Sequence, residues 1–83
     1  MQMFQNLVSE ATKAVENGKE INITVNLGIG SGLVFSFIPE DVESDDGVLC
    51  IYMGNNVLAI NEYDLTYDNA IGYICGNIMI TID

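Results

Sequence analysis

Glu16-Asn17-Gly18-Lys19-Glu20-Ile21-Asn22-Ile23-Thr24-Val25-Asn26-Leu27 decides the fold, because the spacing of apolar residues changes there from the period of a helix to that of a strand. Upstream, Phe4, Leu7, Val8, Ala11 and Val15 line one side of a 3.6-residue repeat, and Gln5, Asn6, Ser9, Glu10, Lys13 and Glu16 fill the other. That pattern predicts an amphipathic helix. Asn17-Gly18 ends it, since glycine takes the left-handed position after a helix at no steric cost, and Lys13 and Lys19 sit near its negative end. Downstream, Ile21, Ile23, Val25, Leu27 and Ile29 alternate with Asn22, Thr24 and Asn26, as in a strand with one buried and one wet face.

The strand period continues outward from this point. Gly28-Ile29-Gly30-Ser31-Gly32 is a flexible turn, and Leu33–Ile38 returns as a second strand that Pro39 ends, having no N–H to give the ladder. Residues 40–47 are expected as an acidic loop. Val48–Met53 is apolar on both faces, which suggests a central strand, and Gly54-Asn55-Asn56 turns the chain into a return strand over Val57–Asn61. Residues 71–82 fit either one long strand or a hairpin about Gly76-Asn77. The expected architecture is a single α+β domain over residues 1–83, with one N-terminal helix packed in two layers on an antiparallel sheet of four to six strands. One helix cannot cover such a sheet, so the far face is solvated or meets another molecule.

Composition narrows the chemistry. The chain has 83 residues, 12 acids, two lysines and no arginine or histidine, for a net charge of −10. With 49% hydrophobic residues it is too apolar to remain disordered. The acids are near the ordinary abundance; the bases are missing. A surface without cations cannot hold phosphates through Lys or Arg, which argues against nucleic acid and anionic membrane as direct ligands. The N-terminal residues lack the basic start and apolar run of a targeting signal, so a cytoplasmic location is expected. Cys50 and Cys75, both in apolar surroundings, are expected as buried free thiols.

The usual catalytic groups are absent. No histidine serves as acid or base, no arginine clamps an oxyanion, and the cysteines lack a partner to lower their pKa. No enzymatic activity and no cofactor are expected. Gly28-Ile29-Gly30-Ser31-Gly32 is not a phosphate loop, because no lysine follows and a strand, not a helix, comes next. Asp41–Gly47 imitates the opening of a calcium loop, but its glycine comes one place late and Tyr52 stands where a bidentate glutamate is required, so no dedicated metal site is expected.

Two acidic segments remain. Glu40, Asp41, Glu43, Asp45 and Asp46 fall within seven residues, and Glu62, Asp64 and Asp68 follow. If 62–68 is extended, Glu62, Asp64, Thr66 and Asp68 share one face and Tyr63, Leu65 and Tyr67 the other. Carboxylates beside tyrosines suit a basic groove, the rings giving rigid contact area and the acids pairing with Lys or Arg. Glu40, Asp41, Glu43, Asp45, Asp46, Glu62, Tyr63, Asp64, Tyr67 and Asp68 are therefore the candidate partner-binding residues. In size, negative charge, α+β pattern and lack of catalytic groups, the whole chain resembles the small phage-encoded anti-CRISPR and anti-restriction inhibitors, some of which are DNA mimics. The resemblance implies a non-enzymatic inhibitor that occupies the basic nucleic-acid-binding groove of a CRISPR or restriction nuclease in the host cytoplasm. No residue motif defines that group, so no site is carried over from it. The alternatives are a homo-oligomeric assembly module, in which the open sheet face or an edge strand such as Ile78–Ile82 pairs two copies as a homodimer, and an immunity or antitoxin protein.

Overall fold

Helix α1 (Gln2–Asn17) forms where the 3.6-residue pattern placed it and buries Phe4, Leu7, Ala11 and Ala14. Its end is a Schellman closure: Gly18 has φ +65°, and the Lys19 N–H donates to the Ala14 carbonyl at 2.9 Å. Neither lysine occupies the last helical turn; Lys13 precedes it and Lys19 lies beyond the helix, where both border a shallow recess with Glu10 and Ile82. The computed structural model describes residues 2–82.

Eight strands follow: β1 (Ile21–Gly28), β2 (Ser31–Phe37), β3 (Asp41–Asp45), β4 (Val48–Met53), β5 (Asn56–Asn61), β6 (Leu65–Asp68), β7 (Gly72–Cys75) and β8 (Ile78–Ile82), with a 3-10 turn over Glu62–Asp64. They pair antiparallel in two sheets, a five-stranded one in the order β2-β1-β8-β7-β6 and a three-stranded one in the order β3-β4-β5. The α+β expectation holds, with the strands divided between the two sheets. The helix lies over β6 and β8 and against β3, and a single core joins it to Ile21, Ile23, Leu65, Tyr73 and Ile80 of one sheet and Leu49, Ile51 and Ile60 of the other. Each of the fully buried leucines and isoleucines contributes about 1.5–3 kcal/mol of transfer free energy. Val48–Met53 is the central strand of its sheet, as its apolar run required.

Two segments differ from the sequence reading, and the choice left open over residues 71–82 is decided. Residues 40–47 are not a loop: β3 and β4 form a hairpin about Asp46-Gly47, both at positive φ (+50° and +76°), the geometry of a type I′ turn, whose twist matches that of the strands it joins. The Gly28–Gly32 turn shortens to Ile29-Gly30, and the register passes from Asn26↔Gly32 to Gly28↔Ser31, so Leu27 forms a bulge. Residues 71–82 resolve as the hairpin, with Gly76 at φ +61°. Strand Ile78–Ile82 therefore lies between β1 and β7 and is no edge, because the end of the chain returns to the middle of the sheet.

Candidate functional site

The Asp46-Gly47 turn fixes the register of the acidic hairpin and thereby the position of its carboxylates. Asp45 faces Val48, Glu43 faces Cys50 and Asp41 faces Tyr52, while Val42 and Ser44 alternate with them opposite the buried Ile51 and Leu49. Asp41, Glu43 and Asp45 thus share the outer face of the three-stranded sheet in steps of about 6.7 Å. All three are exposed, with Tyr52 and Cys50 behind them.

Hydrogen bonds hold this face in shape. The Tyr52 hydroxyl donates to Glu43 Oε1 at 2.6 Å, a diagonal contact across the pair. That bond, reinforced by the negative charge of Glu43, pushes the Tyr52 phenol up to about 12. Asp41 Oδ1 accepts from the Val42 N–H at 2.8 Å, and the Glu40 N–H donates to the Tyr52 carbonyl at 2.9 Å, which extends the pairing by one residue.

The second acidic segment meets the first at the hairpin turn. Residues 62–64 are not extended, because the Asn61 side chain accepts from the Tyr63 N–H at 3.0 Å and starts a turn. The Glu62 N–H donates to the Gly47 carbonyl at 2.8 Å, and the Glu62 side chain lies so close to Gly47 that an added Cβ would stand 3.2 Å from its Oε1. Glu62 thereby joins Asp45 and Asp46 at one end of the sheet, and Tyr63, next in the chain, is 93% exposed.

Tyr67 and Asp68 serve other surroundings. Asp68 Oδ1 accepts from the Ala70 and Ile71 N–H groups at 2.8 and 3.2 Å and closes the β6–β7 loop. The Tyr67 ring packs edge-on against Tyr73, 5.1 Å between centroids, at a cleft of about 370 Å³ that Met3, Asn6 and Glu10 complete. The Tyr73 hydroxyl donates to Glu10, and burial first, then this bond, holds the Tyr73 phenol far above its usual range.

Sequence reasoning missed Tyr52 as a member of the acidic face and the Glu10–Tyr73 pair. Tyr52 was open to detection, because a two-residue Asp46-Gly47 turn fixes its partner by counting. The Glu10–Tyr73 pair joins residues distant in the chain and leaves no local signal. Both cysteines are free but only half-buried, Cys50 because it lies on the outer face of the sheet. Among the described residues no group of three potential ligands stands close enough to hold a metal ion, since alternate positions on a strand spread Asp41, Glu43 and Asp45 along a line. No helix among them is long and apolar enough to cross a membrane. Compared with protein-family models, with curated proteins and with solved structures, the chain matches none.

Proposed function

We propose that this chain is a non-enzymatic, phage-type inhibitor that acts in the host cytoplasm by filling the basic nucleic-acid-binding groove of a CRISPR or restriction nuclease. The supporting observation is the outer face of the three-stranded sheet: Asp41, Glu43 and Asp45 stand in line, Asp46 and Glu62 join them at the hairpin turn, and Glu40 precedes them. Both lysines belong to the helix and its end. A regular row of anions without interspersed cations imitates a nucleic-acid backbone in the one property that a Lys/Arg-lined channel reads without regard to sequence. Tyr63 supplies a rigid, exposed ring at the margin of the row.

The reading is tested by binding to a purified nuclease with such a channel. Affinity is expected to fall steeply as salt rises, and each of Asp41→Lys, Glu43→Lys and Asp45→Lys to weaken binding by about 10- to 100-fold. Exposed substitutions away from special backbone positions change stability by no more than about 0.5 kcal/mol, so the loss should not reflect unfolding. Affinity indifferent to salt, or unchanged by all three reversals, removes the proposal.

A further inference from the structure

Residues 21–39 contain no charged side chain, although the chain carries 12 acids. They form the β1–β2 hairpin, and β2 is an outer strand of the five-stranded sheet whose other edge, toward solvent, is unpaired. Nearly every residue of β2 is open to solvent: Leu33 and Phe35 are about half-exposed on the helix side, and Val34 is 72% exposed on the far side. Leu27, Ile29 and Ile38 continue the apolar strip around it.

Native proteins guard such edges with charges, prolines, bulges or short strands. Two of the other three outer strands fit that rule: β3 carries Asp41, Glu43 and Asp45, and β6 has four residues and ends on Asp68. The third, β5, is uncharged like β2, but it exposes one large apolar side chain, Val57, where β2 exposes three. In β2 no charge or proline occurs, and the bulge lies on its neighbour.

We infer that β2 pairs antiparallel with β2 of a second copy, joining the two five-stranded sheets across a two-fold axis. Charge and apolar exposure together favour this occupant. Two chains of net charge −10 repel wherever their acids approach; residues 48–61 and 69–82 are uncharged as well, but of the three uncharged stretches the β1–β2 hairpin exposes by far the most large apolar side chains. An antiparallel pair also sets the end of the hairpin flanked by Glu20 and Glu40 beside the partner's uncharged tip at Ile29-Gly30, which keeps the flanking acids of the two copies apart. Register follows from the pleat. Paired residues share a face, so the axis passes through a single residue, Val34 or Phe35, and either choice sets Phe35 against an apolar residue of the other copy, its Leu33 or its Phe35. Area is of the right order for a weak interface. With about 150–250 Å² per large side chain, the exposed fractions of Leu27, Ile29, Leu33, Val34, Phe35 and Ile38 amount to on the order of 700 Å² per chain, a ceiling on what the seam can bury, against roughly 800 Å² per partner of a standard interface.

Sedimentation equilibrium of the whole chain, without any nuclease, tests the inference. At concentrations up to about 100 μM, above the micromolar dissociation constants of weak interfaces of this size, the expected mass is twice 9.1 kDa. Dimerisation should tighten as salt rises, because salt screens the residual repulsion between acidic bodies. Phe35→Glu and Val34→Glu should each weaken it by about 100-fold, by bringing a carboxylate from each copy into an otherwise uncharged seam. Val34→Glu keeps the test valid if Phe35→Glu unfolds, because Val34 is outside the core, and circular dichroism should confirm its fold. A monomer at all these concentrations, a dimer undiminished by Val34→Glu, or a dimer that salt dissociates overturns the inference. The opposite salt responses keep this outcome separate from that of nuclease binding.

Discussion

The β3–β4 hairpin and the β1–β2 hairpin obey the same pairing rules and present opposite surfaces. Both close on two-residue turns, and both end in a strand at the margin of a sheet. In β3 the outward positions alternate as Asp41, Glu43 and Asp45; in β2 they hold Val34 and Ser36, with Leu33 and Phe35 half-covered on the other side. The difference shows that this chain separates its charge by strand: β3 bears a row of carboxylates and β2 bears exposed apolar side chains and no charge. The helix makes the separation possible, since it completes one core beneath both sheets.

The largest perturbation available is to that common core. Leu7 is fully buried between the helix and both sheets, and Leu7→Ala is expected to cost about 2–5 kcal/mol. A chain of this length has about 4–12 kcal/mol to lose, at roughly 0.05–0.15 kcal/mol per residue. If the sheets are one cooperative unit, far-ultraviolet circular dichroism and tyrosine fluorescence should shift to lower denaturant together. Two separated transitions would mean that the acidic sheet and the apolar hairpin are joined only by the chain.

A smaller effect is confined to the five-stranded sheet. Gly72 has φ +108°, and a Cβ there would stand 2.7 Å from the Ile80 carbonyl oxygen and 2.8 Å from Thr81 Cγ2. Backbone cannot yield as a side-chain end does, so Gly72→Ala should destabilise the fold by about 1–3 kcal/mol. Gly54, also at positive φ but with nothing within 4 Å, should cost less when replaced by alanine, since only the conformational penalty applies. Equal losses in a denaturant titration would show that the close packing of β7 on β8 contributes nothing.

Much of this was legible in the residues. The period change at Gly18 located the helix and β1, the apolar run 48–53 marked the centre of its sheet, and Gly76-Asn77 held the hairpin as one of two alternatives. The acidic segment was misread because its charges suggest a solvated loop, whereas Asp46-Gly47 between alternating residues is a hairpin signal. That one turn carries most of the candidate site: it makes 41–45 a strand, aligns its carboxylates and places Tyr52. The union with residues 62–64 was not legible, because it depends on a backbone bond from Glu62 to Gly47. Nor was the exposure of β2, which alternation alone assigns a buried side; only the position of the helix over β6 and β8 leaves it open.

The finest distinction between the two edges is chemical. Tyr52 is tied to the acidic strand by its bond to Glu43, and no comparable group lies in the β1–β2 hairpin, which contains nothing that titrates. The phenol is raised to about 12 in the folded chain from an ordinary value of about 10. The protonated form is therefore the one the fold favours. Its contribution is complete below pH ~10 and is lost as pH rises through about 12, when a phenolate would face the Glu43 carboxylate. Alkaline titration followed by phenolate absorbance should show a tyrosine ionising near pH 12, and Tyr52→Phe should remove that step and flatten the decline in stability over the same interval. Because Tyr52 lies at the surface the change is expected to be the smallest of those described, and its absence in a direct comparison with wild type would show that the Tyr52–Glu43 bond does not hold in solution.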